Sequence, residues 1–168
     1  ATTDVYKLDK QIRADLEGFT VRHLIPELQG DSDILKYRCL VLYARVGYFF
    51  TFKSEDACLK ACQGVSGCMA SKSLPLKIAA TEAMCVLLRN NAARQHMLPE
   101  LDNMLKIILD LLNDIDYDGL IHSLEAIIES YENDIGGEAA KIIEGLGLAY
   151  YNYKSNINAG KGQQADEE

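Results

Sequence analysis

The chain has 168 residues, a length that suits one ordinary domain or three to four stacked helical repeats. Hydrophobic residues make up 48% of it, yet no apolar run reaches the ~18 residues that a membrane-spanning helix needs. The net charge of −8 is uneven, because residues 1–99 hold 13 Lys and Arg against 10 Asp and Glu, whereas residues 100–168 hold 4 against 15. The acidic half argues against direct nucleic-acid binding, because it repels a phosphate backbone. It favours basic partners at long range, and the alternative is that its carboxylates are only solvated surface.

The amino terminus, Ala-Thr-Thr-Asp-Val-Tyr-Lys, lacks the charged and then apolar layout of a signal peptide, and it has no Met. We therefore expect a processed or excised piece of a longer protein. The number of cysteines is odd, and no CxxC or zinc-type spacing occurs among them. We expect buried thiols in a reducing compartment, with no disulfide and no metal, over the alternative of a reactive or metal-binding thiol. They are Cys39, Cys58, Cys62, Cys68 and Cys85.

The first part of the chain predicts three helical stretches. Residues 5–29 come first, broken by Pro26 and Gly30. Residues 33–49 follow, capped by Ser32 or Asp33 and ended by Gly47 with an aromatic cluster. Residues 54–70 come third, with Ser54 as their cap. The apolar face of the second stretch is predicted to consist of Leu35, Cys39, Leu42, Tyr43 and Val46.

The second part predicts four more helices. Residues 74–90 come first, with Ser73 as their cap and Pro75 early in the helix, and they end at Asn90-Asn91. Residues 92–113 are interrupted near Pro99 and then show one narrow polar stripe, which indicates a helix buried on most sides. Residues 117–132 and 137–154 follow, and residues 155–168 are predicted to be a disordered acidic tail or an inter-repeat loop. No segment alternates like a strand, so the predicted fold is all-α.

The helices repeat at a fixed distance. They begin near residues 33, 74 and 116, which gives a period of about 41 to 42 residues. A period of this length, filled by antiparallel helix pairs, is typical of a HEAT-repeat α-solenoid. The predicted repeats are 33–70, 74–113 and 116–154, preceded by a flanking helix at 5–29. A solenoid of stacked repeats is a recognition surface, which directs the search towards partners.

Motifs that carry chemistry are missing. No nucleotide-binding loop, zinc-protease motif or nucleophile elbow occurs, and we expect no cofactor, no metal and no enzymatic activity. A calcium loop from Asp114 to Glu125 is a weak alternative to a capped turn, because an apolar helix resumes directly after Gly119. Gly145 and Gly147 fall inside a predicted helix, where small residues allow close packing.

Several blocks in order resemble one family. Phe19–Leu28 resembles the "hVfPEf" segment of the importin-β superfamily, in the branch of importins seven and eight, and Leu35–Cys39 resembles its "LRaRAC". Leu74–Ala83 is similar to its "LPVRVeAAlA", Leu98–Asp116 to its "LPqiLkiflkLmnEiD", and Leu120–Ile128 to its "LvkaLEeiie". The family's Trp after the Cys of the second block is Leu40 here.

The resemblance implies a central-to-late HEAT-repeat piece of a karyopherin-type nuclear transport receptor. Such a receptor carries proteins through the nuclear pore, governed by Ran·GTP, with basic cargo and nuclear pore proteins as partners and with shuttling between nucleus and cytoplasm. The alternative is a HEAT scaffold subunit of a phosphatase or vesicle-coat complex. Polar stripes on the predicted inner helices are the candidate partner-facing residues, although each could simply be solvated: Asp56, Lys60, Gln63, Asn103, Lys106, Asp110, Glu138, Lys141 and Glu144.

Overall fold

The structure is a computed structural model that describes residues 11–13, 15–115, 117–137, 140, 143–148 and 151. None of these residues lies in a strand, and the predicted all-α fold is confirmed. No helix in this part of the chain is both long and apolar enough to cross a membrane. The α-helices are α1 (Asp33–Val46), α2 (Glu55–Met69), α3 (Leu74–Leu87), α4 (Asn91–Met97), α5 (Leu101–Asp114) and α6 (Asp118–Ser130).

The contacts divide the chain into two compact units, Ala1–Pro99 and Glu100–Glu168. The first holds α1 to α4. The second holds α5, α6 and the terminal helical segment, which is our name for residues 143–148. The predicted helix break near Pro99 is confirmed, because a 3-10 turn at Leu98–Glu100 separates α4 from α5.

In the first unit, α3 packs against both α1 and α2, and α2 also packs against α4. Helices two apart in the chain therefore lie side by side, as expected for stacked helix pairs in an all-α solenoid. Short side chains make α3 a good central helix: Ala79, Ala80 and Ala83 are buried and let neighbouring helices come close. The division into three repeats at 33–70, 74–113 and 116–154 stays a prediction.

The segment before α1 is helical but not a single α-helix. Residues 11–13 and 15–19 are helical, Thr20–Leu24 form a π turn, and Pro26–Gln29 form a 3-10 turn. Pro26 has no N–H to donate to the preceding turn, which explains the change of hydrogen-bond register. The Ile25 N–H donates to the Thr20 carbonyl at 3.0 Å, five residues back.

The aromatic cluster predicted after α1 closes the core of the first unit. Tyr43 and Phe50 meet edge to face with ring centroids 6.3 Å apart, and Phe52 lies 5.4 Å from Phe50. Asn90 holds this loop, because its Oδ1 accepts from the Phe52 N–H at 3.1 Å. Its Nδ2 donates to the Leu87 carbonyl at the end of α3, at 3.2 Å. One buried amide thus joins a loop to a helix end.

Two of the three predicted caps are confirmed. The Ser32 hydroxyl accepts from the Leu35 N–H at 3.4 Å, and the Ser54 hydroxyl accepts from the Ala57 N–H at 3.3 Å. Ser73 does stand at the cap position of α3, but its side chain makes no capping hydrogen bond. Its own N–H instead donates to the Ser71 hydroxyl at 3.1 Å, a local hydrogen bond within the connection between α2 and α3.

The predicted apolar face of α1 is partly wrong. Cys39 and Tyr43 are buried as predicted, and Leu40 joins them in the core. Leu35 and Leu42 are 41% and 38% exposed, although both were expected inside. Every residue between Leu40 and Tyr43 is apolar, so periodicity alone left the orientation of this helix open.

The core of the second unit comes from α5 and α6, which pack against each other. The buried side of α5 and the buried side of α6 each follow a helical spacing, and Tyr131 closes the end of α6. The thin polar stripe predicted for α5 lies on the opposite, exposed side. The buried residues are Leu101, Met104, Leu105, Ile108, Leu111, Leu120, Leu124 and Ile127.

Candidate partner-binding site

The second unit contains an open cleft between α5 and the terminal helical segment. It encloses about 620 Å³ and runs along the exposed side of α5. Four residues of the predicted polar stripes lie together around it: Asn103, Lys106, Asp110 and Glu144. The other lining residues, which include apolar positions that the sequence analysis did not single out for binding, are Asp102, Leu105, Leu109, Asn113, Gly145 and Leu148.

Gly145 sets the width of one end of the cleft. A Cβ atom at this position would lie 2.8 Å and 2.9 Å from the two methyl carbons of Leu109. A glycine therefore allows the terminal helical segment to approach α5 at this point, which confirms the predicted role of this small residue. Gly147 differs, because a Cβ there would meet nothing within 4 Å.

The electrostatic character of the cleft is acidic. Among the described lining residues, Asp102, Asp110 and Glu144 are acidic and Lys106 is basic, and all four side chains are exposed. Each charge is solvated, so its individual interaction with a partner is weak and sensitive to salt. Together, three carboxylates beside an apolar wall of leucines favour a ligand that has both positive charge and aliphatic surface.

The apolar wall gives the cleft its second property. Leu109 is half-buried and Leu148 is 52% exposed, so a partner that covered them would remove aliphatic surface from water. Burial of apolar surface contributes about 25 cal/mol per Å² before the costs of association are counted. The cleft is therefore suited to the aliphatic stems of Lys or Arg, whose charged ends would reach the carboxylates.

The remaining predicted site residues are placed differently. Asp56, Lys60 and Gln63 lie on the exposed side of α2, in the first unit. Lys60 Nζ lies 2.7 Å from Asp56 Oδ2, one helical turn away, and both side chains are largely in solvent. An exposed pair of this kind contributes about 0.5 kcal/mol or less to stability. Glu138 and Lys141 lie outside the described residues.

The thiols are free, and the prediction that they are buried holds for all but Cys85, which is partly exposed. A hydrogen bond from Cys62 lowers the pKa of the Cys58 thiol, against the opposing effect of burial. The same hydrogen bond and burial raise the pKa of Cys62, and burial raises that of Tyr43. Cys58 and Cys62 are at most 1% exposed, so this pair of thiols lies inside the core of the first unit.

The weak alternative of a calcium loop gains no support from α6. Glu125 Oε2 lies 3.2 Å from His122 Nδ1, on the exposed side of this helix. Within the described ranges, no group of three or more His, Cys, Asp or Glu side chains is arranged to hold a metal ion. Within this segment, α5 ends at Asp114 and α6 begins at Asp118.

The chain is similar to two proteins named as importins. It is 26% identical over 134 residues to a probable importin-7 homolog of Dictyostelium discoideum, an alignment that covers 80% of this chain and 12% of the relative. It is 28% identical over 141 residues to a probable importin of Encephalitozoon cuniculi, which covers 81% of this chain and 14% of that relative. The resemblance to importins is confirmed.

These matches agree with the resemblance of the sequence blocks to importins. The chain spans about an eighth of the length of the curated relatives it matches, so the activity of a whole importin does not pass to it by similarity alone. No protein-family model matches the chain. No solved structure matches it either.

The importin-like blocks contain both buried and exposed residues. In the block Leu74–Ala83, the residues Ala79, Ala80 and Ala83 are buried in α3. Leu40, which stands where the importin family has Trp, is fully buried in α1. The buried members of these blocks contribute to helix packing, and the cleft residues Asn103, Lys106 and Asp110 also fall within the block Leu98–Asp116.

Proposed function

We propose that this chain is a segment of a karyopherin-type nuclear transport receptor, built from HEAT repeats at 33–70, 74–113 and 116–154. The observation that carries the proposal is the collinear similarity to two probable importins over four fifths of the chain. A fold of packed helices agrees with a recognition protein, because it offers long exposed faces. The receptor containing this segment would carry protein cargo between cytoplasm and nucleus.

The acidic cleft is the proposed cargo contact. Asp102, Asp110 and Glu144 would attract a basic segment of a cargo protein, and Leu109 and Leu148 would cover its aliphatic stems. Attraction between exposed charges is screened beyond about 8 Å at physiological salt. We therefore expect binding that is weak for this segment alone and that falls steeply as salt rises.

A pair of matched variants tests the cleft. The probe is a labelled lysine-rich peptide of the kind found in histone and ribosomal-protein tails, measured by fluorescence anisotropy at low and physiological salt. The variant Asp110→Lys with Glu144→Lys should weaken binding by about tenfold, since two attractive charges become repulsive. The control Asp15→Lys with Asp31→Lys makes the same change of net charge on the first unit, where these two side chains are also exposed. Equal losses from both variants would assign the effect to net charge and remove the cleft from the proposal.

Ran dependence is the part of the proposal that separates a transport receptor from a scaffold subunit. A transport receptor should distinguish GTP-loaded from GDP-loaded Ran, whereas a phosphatase or vesicle-coat scaffold has no reason to do so. We expect that immobilised Ran·GTP releases the basic peptide from the chain or binds the chain directly, and that Ran·GDP does neither. Identical responses to the two nucleotide forms would favour the scaffold alternative for this segment.

A further inference from the structure

The outer side of α1 has an unusual composition for so acidic a chain. Residues 34–54 contain Lys36, Arg38, Arg45 and Lys53 but neither Asp nor Glu, although the chain as a whole carries a net charge of −8. Lys53 Nζ forms an ion pair with Glu17 Oε2 at 3.6 Å. Arg38 and Arg45 are exposed, and neither forms an ion pair with a residue that the structure describes. Two exposed guanidinium groups thus lie in a stretch of sequence that contains no carboxylate.

Exposed apolar side chains alternate with these arginines. Ile34 is 73% exposed, Leu42 is 38% exposed and Phe49 is 59% exposed. The spacing from Ile34 to Arg38, Leu42 and Arg45 is four, four and three residues, which places these four on one side of α1. Phe49 follows in the 3-10 turn Gly47–Phe49. We call these five residues the apolar-basic stripe. Its four members in α1 lie opposite the buried side of this helix, which packs on α3.

We propose that the apolar-basic stripe is a docking surface for an acidic amphipathic protein segment, whose apolar residues recur at helical spacing and are flanked by carboxylates. The apolar members would pack against Ile34, Leu42 and Phe49, and the carboxylates would pair with Arg38 and Arg45. Arginine presents a planar fork that binds a carboxylate through two parallel hydrogen bonds, which gives orientation as well as affinity. This surface is opposite in charge to the acidic cleft and lies in the other unit, so it would serve a different partner.

An acidic protein segment fits the stripe better than other polyanions do. Ile34 and Leu42 offer aliphatic surface, which neither stacks on a nucleobase nor contacts a phosphate favourably. Nucleic acid and anionic membranes are extended negative surfaces, and a chain with a net charge of −8 is repelled by them at long range. A short acidic segment meets only the local positive potential of the carboxylate-free stretch.

The test uses the whole chain and a designed probe. The probe is a labelled peptide of about 18 residues with Leu at alternating third and fourth positions and Glu beside them, so that one helical side is apolar and its borders are acidic. Two comparison peptides keep its length: one has the same composition with shuffled Leu positions, and the other has Lys in place of each Glu. An oligothymidine strand and vesicles of phosphatidylcholine with phosphatidylserine represent the other polyanions.

We expect the acidic amphipathic peptide to bind most tightly, with the shuffled and Lys peptides each at least about tenfold weaker. Arg38→Glu with Arg45→Glu should raise its Kd by about tenfold or more, and Ile34→Ala with Leu42→Ala should do the same. The control Arg22→Glu with Lys72→Glu changes net charge equally, at exposed positions outside the stripe, and should leave the Kd within about twofold. All substituted residues are exposed, and circular dichroism melts confirm that each variant is folded.

Four results would overturn the proposal. They are equal weakening by the control variant, equal binding of the shuffled peptide, equal binding of the Lys peptide, and tighter binding of oligothymidine or of the vesicles. Sedimentation of the free chain adds a further check. Self-association that disappears in the Arg38 and Arg45 variant would assign the stripe to a second copy of this chain and would also contradict the proposal.

Discussion

Thr20 carries a buried hydroxyl that finds no hydrogen-bond partner among the described residues. The whole residue is only 1% exposed, so bulk water has little access to this hydroxyl. A buried polar group in this state costs about 1–3 kcal/mol relative to an apolar group of the same shape.

Thr20→Val is therefore expected to raise the free energy of unfolding by about 1 kcal/mol, because valine keeps the shape of threonine and removes the unpaired hydroxyl. Urea unfolding followed by circular dichroism measures the change. The matched control is Thr81→Val, since the equally buried Thr81 hydroxyl donates to the Lys77 carbonyl at 2.9 Å. The control should lower stability by about 1 kcal/mol, and the same sign for both variants would refute the assignment at Thr20.

The cysteines differ in accessibility. Cys39, Cys58, Cys62 and Cys68 are buried, whereas Cys85 is partly exposed and donates weakly to the Thr81 carbonyl at 3.2 Å. We predict that Cys85 reacts first with a thiol reagent such as Ellman's reagent in the native protein, and that the other four react only as fast as the protein unfolds. In denaturant all five should react together. Rapid native reaction that persists in Cys85→Ser would contradict this ranking.

At the scale of an element, α2 contains two glycines in opposite situations. A Cβ atom on Gly64 would lie 2.9 Å from the Leu28 Cβ, an atom that no rotamer change can move away. A Cβ atom on Gly67, one turn later, would meet nothing within 4 Å. Gly64 therefore allows the 3-10 turn at Pro26–Gln29 to pack on α2. Gly67 has no such role and only lowers the helix propensity of α2.

The two substitutions to alanine should act in opposite directions. Gly64→Ala is expected to lower the free energy of unfolding by about 1–2 kcal/mol, because the overlap with Leu28 forces the turn and the helix apart. Gly67→Ala should raise it by about 0.5–1 kcal/mol, the usual gain from replacing an exposed helical glycine. Chemical denaturation of the two variants in parallel measures both changes in the free energy of unfolding. A gain in stability from Gly64→Ala would show that the 3-10 turn can move away from α2 with little loss of packing energy.

Local signals explain what the sequence could predict about the elements. Ser32 and Ser54 predict the starts of α1 and α2, because an N-cap hydroxyl forms its hydrogen bond within its own turn. Pro99 predicts the break between α4 and α5, because proline has no N–H to donate. The orientation of α1 could not be predicted in the same way. Apolar residues occupy both its inner and its outer side, and the choice between them is made by contacts with α3, which is distant in sequence.

The candidate site shows the same division. The polar stripe of Asn103, Lys106 and Asp110 could be read from its spacing, since one exposed helix side has a fixed period. Its neighbour across the cleft, Glu144, was predicted as part of another stripe but not as a partner of this one. The leucines of the cleft wall could not be found, because a half-buried leucine and a buried one look alike in sequence.

At the scale of the whole molecule, the contacts that stabilise α1 to α4 lie within residues 1–99. We therefore predict that residues 1–99 alone remain helical and unfold cooperatively on heating, as measured by circular dichroism. This piece should keep its affinity for the acidic amphipathic peptide and lose all affinity for the lysine-rich peptide, because the stripe and the cleft belong to different units. A non-cooperative melt would show that the first unit depends on residues 100–168 for its stability.

The alanines of α3 also determine how the first unit responds to mechanical load. An alanine has no side-chain rotamers, so the contacts of Ala79, Ala80 and Ala83 with the neighbouring helices have no alternative arrangement to change into. The longer side chains that α3 also buries, such as Met84 and Leu87, do have alternative rotamers and can readjust under a bending force. Under a bending force, the contacts of the three alanines should therefore change least, and those of the longer side chains should change first.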